Sequence, residues 1–346
     1  MSEEPEVLFE RRGVAGIITL NRPKALNSLT LNMVRMIHPQ LEAWAVDDAV
    51  EIVLIEGAGD RAFCAGGDIR ALHDWGKAKD PLVIDFYREE YRLNTLIKRF
   101  PKPYVAILNG ITMGGGVGLS VHGKYRLVTD KITFAMPETG IGLFPDVGGT
   151  YFLPRLFGET GMYIALTGAR LKAADCVYAE MATEHVPEVS LGHIKQEICN
   201  GVRVERVIDA HAEDDRHPPL SDVIDQINQH FSKDSVADIL ASLDADGSDW
   251  ATNTAATIRT KSPLSTLITF RQLREGAKLD FEDCMKLEFR LTNRFMEGAD
   301  FFEGVRSTII DKDQKPVWAH HSINDVSEDE IDAYFAPLGE RELTFD

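Results

Sequence analysis

Residues 104–120 read Tyr-Val-Ala-Ile-Leu-Asn-Gly-Ile-Thr-Met-Gly-Gly-Gly-Val-Gly-Leu-Ser. The run 104–108 is apolar, as in a buried strand, and five glycines occupy the nine residues 110–118. Because glycine has no side chain, a ligand can approach such a backbone closely. Close packing between helix and strand also requires glycine, so this segment alone leaves ligand binding and packing open.

A second glycine-containing turn lies at residues 61–70, Arg-Ala-Phe-Cys-Ala-Gly-Gly-Asp-Ile-Arg, after the apolar run 51–56. Gly66 and Gly67 leave backbone N–H groups uncovered, and at the start of a helix such groups favour an anion. A tight strand-to-helix turn explains the same residues. Two such turns at the ends of neighbouring strands, however, can direct two N–H donors at one oxygen. Losing one such donor typically lowers a rate by about 10²–10³.

The apolar pattern outside these turns predicts an α/β fold with a largely parallel sheet, because strand-like and helix-like stretches alternate. The predicted strands are 14–20, 51–56, 104–108, 126–129 and 133–136. A helix is predicted over 30–46, with Thr30 as N-cap, and Pro39 is expected to kink or divide it.

Beyond residue 205 the pattern becomes helical, after a polar linker at 209–219. The predicted helices are 220–231, 235–243, 250–261, 265–275 and 281–296. We therefore divide the chain into an α/β part, residues 1–205, and a mainly helical part, residues 206–346.

The composition limits partners and compartment. The chain of 346 residues has 37 Lys and Arg against 55 Asp and Glu, a formal net charge of −18. Nucleic acid and anionic membranes require a basic face, so both are excluded as expected partners. No apolar run is long enough to span a bilayer, and the four cysteines have no metal-like or disulfide-like spacing. The acidic first residues have the features of neither a signal nor a transit peptide, so we expect a cytoplasmic protein.

Two carboxylates lie in the glycine- and proline-rich segment 136–150, Met-Pro-Glu-Thr-Gly-Ile-Gly-Leu-Phe-Pro-Asp-Val-Gly-Gly-Thr. Among apolar neighbours Glu138 and Asp146 are desolvated, so their pKa and basicity rise. Capping of a turn is the alternative, and the pattern does not decide between the two. A third acid is expected on the helix 84–100, where Glu90 or Glu89 falls on the apolar stripe; periodicity does not choose between them.

Several segments together resemble the crotonase (enoyl-CoA hydratase/isomerase) superfamily. Residues 63–69 and 110–118 resemble its two oxyanion-hole segments, and residues 21–27, Asn-Arg-Pro-Lys-Ala-Leu-Asn, resemble its CoA-contacting segment. Within the superfamily the resemblance is greater to hydrolases of 3-hydroxyisobutyryl-CoA. The segments that resemble these hydrolases are 86–91, 122–126, 135–149 and 302–313. The combination is highly specific, although no single segment is.

The resemblance implies a crotonase-type β/α spiral core with a helical C-terminal region, and it assigns roles to residues. Gly67 and Gly115 would donate the oxyanion N–H groups, Glu138 would be the principal catalytic carboxylate, and Glu90 would contact the substrate. Asp146 stands where hydratases usually have glycine and the hydrolases have an acid. The implied CoA-binding residues are Lys24, Ala25, Leu26, Ala65, Asp68 and Ile69.

The implied reaction is hydrolysis of 3-hydroxyisobutyryl-CoA in valine catabolism, without metal or cofactor, since CoA is part of the substrate. 3-Hydroxypropionyl-CoA differs by one methyl group, worth roughly 1–3 kcal/mol in a pocket, so the acyl preference stays open. A homo-oligomer is compatible with the resemblance.

One departure from the superfamily bears on the reaction. Hydratases usually carry a second catalytic Glu two residues after the glycine triplet, and this chain has Gly118 there. An enoyl-CoA hydratase or isomerase remains the alternative enzyme, and an acyl-CoA-binding scaffold the non-catalytic one. A serine hydrolase using Ser120 is the weakest alternative, because the final glycine of G-x-S-x-G is missing.

Overall fold

The computed structural model describes residues 4–213 and 216–345. Its strands are β1 Val7–Arg12, β2 Ala15–Leu20, β3 Ile52–Gly57, β4 Ala62–Cys64, β5 Tyr104–Leu108, β6 Ile111–Met113, β7 Tyr125–Val128, β8 Thr133–Ala135 and β9 Glu184–His185. The first nine helices are α1 Leu31–Val46, α2 Ile69–Ala78, α3 Leu82–Lys98, α4 Gly115–Gly118, α5 Gly149–Phe152, α6 Thr160–Thr167, α7 Ala173–Tyr178, α8 Leu191–Cys199 and α9 Val204–His211. Seven more follow: α10 Ile224–Phe231, α11 Val236–Asp246, α12 Asp249–Arg259, α13 Pro263–Gly276, α14 Phe281–Glu297, α15 Asp300–Val305 and α16 Glu328–Phe335.

A six-stranded sheet, in the order β1-β2-β3-β5-β7-β9, forms the framework. β1 pairs antiparallel to β2, and every later neighbour pairs parallel. The predicted parallel arrangement is confirmed. Residues 52–55 of β3 and all of β5 are apolar and buried because strands of a parallel sheet are covered on both faces. β1 was not predicted, since most of its residues are partly or fully exposed and only Val7 is buried.

Helix α1 has its predicted bounds but is not divided at Pro39. The Thr30 hydroxyl accepts a hydrogen bond from the Met33 amide at 3.1 Å, as expected of an N-cap. The helix continues through Pro39, so the predicted division does not occur. Buried residues lie on both sides of the proline, and their packing outweighs one missing backbone hydrogen bond: Leu31, Met33, Val34, Ile37, Leu41 and Trp44.

The helices predicted after residue 205 are confirmed, with small shifts at their ends. A short 3₁₀ helix, Pro219–Asp222, precedes α10 in place of one continuous helix from residue 220. The predicted linker 209–219 begins too early, because α9 extends to His211. Val204 and Val207 of α9 pack in the core beneath the large sheet and stabilise the helix there. Residues 214 and 215 of that linker lie outside the described residues.

The chain forms two compact units that alternate along the sequence. Unit one comprises residues 1–67, 92–134 and 170–221, and unit two comprises residues 68–91, 135–169 and 222–346. Unit one holds the large sheet and the glycine-rich turns, whereas unit two is almost entirely helical. The predicted division between residues 205 and 206 separates an α/β part from a helical part by secondary-structure type. The two compact units have other boundaries, because unit two also includes residues 68–91 and 135–169. None of the described helices combines the length and apolar content that a membrane span requires.

Candidate active site

The two glycine-rich turns lie side by side in unit one. They follow β4 and β6, which pair parallel in a second, three-stranded sheet ordered β4-β6-β8. A Cβ atom on Gly116 would lie 2.2 Å from the backbone oxygen of Cys64, and one on Gly66 would lie 3.5 Å from that of Met113. Glycine is therefore required for this close approach of the two turns. The expectation that the turns lie at neighbouring strand ends is confirmed.

The amides assigned to the oxyanion hole belong to Gly67 and Gly115. Gly115 is the first residue of α4, where a helix leaves its amide unbonded, and it follows Gly114 with φ 44°. In residues 4–213 and 216–345, no turn, loop or cap takes a hydrogen bond from the Gly67 or Gly115 amide. Both remain available to an oxygen of a ligand. Their role as oxyanion donors stays a prediction.

The expected CoA-contacting segment adjoins the first of these turns within unit one. Lys24 and Ala25 are exposed on a 3₁₀ helix, Pro23–Ala25, and Leu26 follows with φ 53°. The Ala65 amide donates to the Leu26 oxygen at 3.1 Å. Asp68 and Ile69 belong to unit two, where Asp68 caps α2 by accepting from the Ala71 amide at 3.4 Å. Asp68 thus has a structural role as a helix cap, and its contact with CoA stays a prediction.

Unit two contains a cluster of buried carboxyls, called here the acid cluster: Glu90, Glu138, Asp146 and Glu288. Their exposed fractions are 2%, 5%, 5% and 0%, so solvent screens none of them. Glu138 begins a 3₁₀ helix, Glu138–Ile141, that ends at Gly142, where a Cβ would lie 2.2 Å from the Asp300 backbone oxygen. Glu90 lies on α3.

The choice that periodicity left open between Glu89 and Glu90 is made by tertiary packing. Glu90 is buried, and the charges of Asp146 and Glu288 help to raise its pKa. Glu89 is half-buried. The guanidinium of Arg88, two residues before Glu90, packs over the Phe289 ring at 4.5 Å. Glu90 therefore belongs to the acid cluster.

Burial dominates the proton affinities of the cluster. It raises the pKa of Asp146 to about 7, although the hydrogen bond from Tyr91 opposes the rise. Burial and the neighbouring Asp146 charge raise the pKa of Glu138 and of Glu90 well above the ordinary value. The carboxyls of the cluster therefore do not titrate independently, because ionisation of Asp146 hinders ionisation of Glu138 and Glu90.

Three polar atoms around this cluster are buried without a hydrogen-bond partner among the described residues: Glu90 Oε1, Glu138 Oε2 and the Tyr87 hydroxyl. The pKa of Tyr87 is raised far above its usual value, first by burial and then by the charges of Asp146, Glu90 and Glu138. Buried polar atoms without a partner are costly, so their accumulation here is typical of a site that a polar ligand completes.

Glu288 and Tyr91 are members of this site that sequence reasoning missed. The Tyr91 hydroxyl donates to Asp146 Oδ2 at 2.8 Å and lies 2.8 Å from Thr292 Oγ1. Glu288 lies 142 positions beyond Asp146, on a helix whose other buried residues are mostly apolar. The sequence signal that could have indicated Glu288 was an acid at a position that faces inward on that helix.

The structure argues against Ser120 as a nucleophile. Its side chain is 1% exposed, and its hydroxyl donates to the Gly116 oxygen at 2.8 Å and approaches the Val117 oxygen at 3.1 Å. These contacts hold the hydroxyl within its own helix turn. A nucleophilic serine instead bonds to a base.

A second polar cluster, Asp130, His185 and Glu213 in unit one, brings together three potential metal-ligand atoms within 4.8 Å of one another. Sequence spacing gave no indication of it. Arg216 donates to Asp130 and, at 3.2 Å, to Glu213. Because a guanidinium already neutralises both carboxylates, ion pairing accounts for the cluster, and the absence of a metal requirement stays a prediction.

A family profile identifies the class of this protein. The enoyl-CoA hydratase/isomerase family matches residues 15–335, and the chain belongs to that family. Two curated relatives carry the more particular name "3-hydroxyisobutyryl-CoA hydrolase, mitochondrial". The one from Xenopus laevis is 50% identical over 97% of this chain and 90% of its own length. The one from Danio rerio is 49% identical over 98% and 91%. The resemblance noted in the sequence is thereby confirmed.

Solved structures confirm the crotonase-type fold over the whole chain. A carnitinyl-CoA dehydratase from Mycobacterium thermoresistibile has a TM-score of 0.95 at 41% identity, covering 99% of both chains. An enoyl-CoA hydratase from Rhodobacter sphaeroides has a TM-score of 0.91 at 40% identity, covering 99% of this chain and 100% of its own. These two structures are titled as a dehydratase and a hydratase, whereas the two sequence relatives are named as hydrolases. The names alone therefore do not decide the reaction, and the residues of the site must be considered.

Proposed function

We propose that this protein hydrolyses the thioester of 3-hydroxyisobutyryl-CoA to 3-hydroxyisobutyrate and CoA. The observation that carries the proposal is the composition of the acid cluster. Glu138 and Asp146 are buried together in unit two, while position 118 in unit one, where hydratases usually have their second Glu, is a buried glycine. The hydrolase names of the relatives support the same reaction.

In the proposed reaction the backbone amides and the carboxyl side chains have different functions. The thioester oxygen accepts hydrogen bonds from the Gly67 and Gly115 amides, which stabilise the negative charge that develops there. The Glu138 carboxylate attacks the carbonyl carbon, the C–S bond breaks, and the CoA thiolate takes a proton from Asp146. The ionised Asp146 then takes a proton from the water that cleaves the mixed anhydride, which releases the hydroxy acid and restores the Glu138 carboxylate. In the alternative route, Glu138 removes a proton from the water that attacks directly.

The raised proton affinities fit these roles. With a pKa of about 7, Asp146 can give and accept a proton near neutral pH, as general acid–base catalysis requires. Glu138 must ionise to act as nucleophile or base, and its raised pKa makes it more basic than an exposed carboxylate. Turnover should therefore increase with pH across the range in which Glu138 loses its proton.

Two assays with the unmodified protein test the proposal. Thiol release from 3-hydroxyisobutyryl-CoA is followed with a thiol reagent, and hydration of crotonyl-CoA is followed by its ultraviolet absorbance. We expect rapid thiol release and hydration slower by at least about 10³-fold, since one catalytic acid of the hydratases is missing. Faster hydration would establish the hydratase suggested by the titles of the two solved structures. CoA binding without turnover of either substrate would establish a binding protein.

The acyl preference, pathway and compartment are parts of the same proposal. We expect 3-hydroxypropionyl-CoA to react more slowly, by about 10-fold, because it lacks one methyl group. A role in valine degradation predicts that deleting the gene impairs growth on valine. A cytoplasmic location is a proposal that cell fractionation tests, and the relatives named above carry the word mitochondrial in their names.

The reaction as proposed needs no cofactor, and its substrate is the partner we expect. Dialysis against a chelator should leave thiol release unchanged; loss that added metal restores would contradict this. A homo-oligomer is the further possibility, and light scattering of the purified protein decides it.

A further inference from the structure

Glu288 has no role in the reaction proposed above, yet it is the most deeply buried acid of the cluster. It lies on α14 and has an exposed fraction of 0%. Its carboxyl oxygens accept hydrogen bonds from the Gly148 amide at 2.8 Å and from the Thr150 amide at 2.9 Å. The Gly148 amide lies in the loop that begins at Asp146, and the Thr150 amide lies in the first turn of α5, which that loop enters.

The loop has a backbone that requires such support. Val147 has φ 51° and Gly148 has φ 88°, two successive left-handed residues of which the first has a branched side chain. A residue such as valine in this region typically costs about 1–3 kcal/mol and persists where surrounding contacts impose it. The two oxygens of Glu288 bind the Gly148 amide within this turn and the Thr150 amide just after it. With the hydrogen bond from the Gly149 amide to the Asp146 oxygen at 2.7 Å, they are among the contacts that hold the turn.

A second link joins α14 to the Asp146 side chain itself. Thr292 lies one helical turn after Glu288, and its hydroxyl oxygen is 2.8 Å from the Tyr91 hydroxyl. Tyr91 in turn donates to Asp146 Oδ2 at 2.8 Å. One face of α14 thus holds Asp146 through the backbone that follows it and through its carboxyl.

We propose that Glu288 is a positioning residue for Asp146, holding the Gly148 and Thr150 amides so that the Asp146 carboxyl faces Tyr91 and the reacting thioester. The proposal rests on the function proposed above in taking Asp146 as a participant in the reaction. A carboxyl suits this position because both of its oxygens accept hydrogen bonds. A glutamine would turn its NH₂ group toward one of the two amides.

The charge of Asp146 also acts on Glu288, and other titratable groups lie near both carboxyls. Burial raises the pKa of Glu288 to about 8, the Asp146 charge adds to the rise, and the two amides oppose it. The other titratable groups that interact with Glu288 are Glu90 and Tyr91 of α3 and Cys284 one turn earlier on α14. Tyr87 and Glu138 interact with Asp146. The charge of Asp146 therefore raises the pKa of Glu288, as it does the pKa values of Glu90 and Glu138.

The test is the variant Glu288→Gln in the full chain, compared with Asp175→Asn. Asp175 is a matched control, because it is a buried carboxylate that accepts the Leu220 amide at 2.8 Å in unit one. We expect Glu288→Gln to lower kcat for thiol release by about 10–100-fold, since a small misplacement of a reacting group costs this much, with KM changed less than about twofold. Asp175→Asn should retain kcat per folded molecule. Unchanged kcat in Glu288→Gln would overturn the proposal.

Combination with Asp146→Asn separates positioning from general support of the fold. If Glu288 acts through Asp146, adding Glu288→Gln to Asp146→Asn lowers kcat by less than about threefold more. A full further loss of 10–100-fold would show an independent role and contradict the proposal. If Glu288→Gln does not fold, as judged by circular dichroism, Thr292→Val replaces it, with the same expectation of non-additivity.

A measurement that does not depend on turnover distinguishes a failure of this proposal from a failure of the proposed function. The protein labelled with [4-¹³C]aspartate is titrated by NMR, and the Asp146 signal is assigned by its loss in Asp146→Asn. We expect the titration curve of Asp146 to differ between the unmodified protein and Glu288→Gln, because a displaced Asp146 carboxyl changes its burial and its hydrogen bond from Tyr91, which set its pKa. An identical curve in both would refute the positioning role, even in a protein that hydrolyses no thioester. Absence of thiol release with a changed curve would refute the proposed function alone.

Discussion

The glycine turns of unit one and the acid cluster of unit two are built in opposite ways. The turns consist of contiguous residues, and their functional atoms are backbone amides such as those of Gly67 and Gly115. The acid cluster collects side chains from positions 90, 138, 146 and 288, which three separate helices and a loop bring together. A backbone site can therefore be read from a short motif, whereas a side-chain cluster depends on how distant elements pack.

The largest expected effect is in the acid cluster. We expect Glu138→Gln to lower kcat for thiol release by about 10⁴-fold or more, because the amide neither ionises nor serves as a base. CoA affinity, measured by calorimetry, should stay within about threefold, since the CoA-contacting residues are assigned elsewhere. Near-normal turnover in this variant would eliminate Glu138 as the principal catalytic carboxylate.

The next effect concerns the glycine turns. In Gly116→Ala the new Cβ would lie 2.2 Å from the Cys64 backbone oxygen, so the two turns must separate. We expect kcat to fall by about 10²–10³-fold, the usual effect of a lost oxyanion donor. Gly192→Ala is the matched control, because a Cβ at that exposed position has no atom within 4 Å. Equal activity of both variants would show that the close approach of the turns is unimportant.

Asp146→Asn should change both the rate and its pH dependence. We expect kcat to fall by about 10²-fold through loss of the proton donor. The Asp146 charge raises the pKa of Glu138, so its removal lowers that pKa. The increase of kcat with pH should therefore begin at lower pH in the variant. A pH–rate profile that moves to higher pH, or stays in place, would show that Glu138 ionisation does not limit turnover.

A smaller effect distinguishes two neighbouring acids on α3. We expect Glu90→Gln to raise KM for 3-hydroxyisobutyryl-CoA by about 10-fold, the cost of one buried hydrogen bond to a polar ligand, and to leave KM for isobutyryl-CoA unchanged. Glu89→Gln should leave both values within about twofold, because Glu89 is only half-buried. Equal effects on the two substrates would mean that Glu90 does not contact the hydroxyl.

The smallest effect is on stability. Burial raises the pKa of Asp146 from 3.8 to about 7 and that of Glu288 from 4.5 to about 8, so the folded chain retains protons that the unfolded chain has released. These carboxyls therefore contribute stability below pH about 4, and the contribution is lost as pH rises toward about 8. Urea unfolding at several pH values should show a weaker decline in Asp146→Asn than in the unmodified protein. An equal decline would assign the pH dependence to other groups.

Much of the fold followed from local pattern, and the exceptions have physical causes. Apolar runs such as 104–108 predicted their strands, because a strand covered on both faces needs apolar residues throughout. β1 was missed because one buried residue in six is too weak a signal. Pro39 did not divide α1, because packing of the buried stripe outweighs local propensity.

By itself the sequence determined the parallel α/β plan, the two glycine turns and the acids Glu138 and Asp146, because these depend on local backbone requirements and nearby residue types. Only the tertiary structure decided between Glu89 and Glu90 and held the Ser120 hydroxyl against backbone oxygens of α4. It also brought Glu288, Thr292 and Tyr91 to Asp146. Such contacts join residues far apart along the chain. Which inward side chain meets which neighbour is set by the packing of whole helices, and no short stretch of sequence records it.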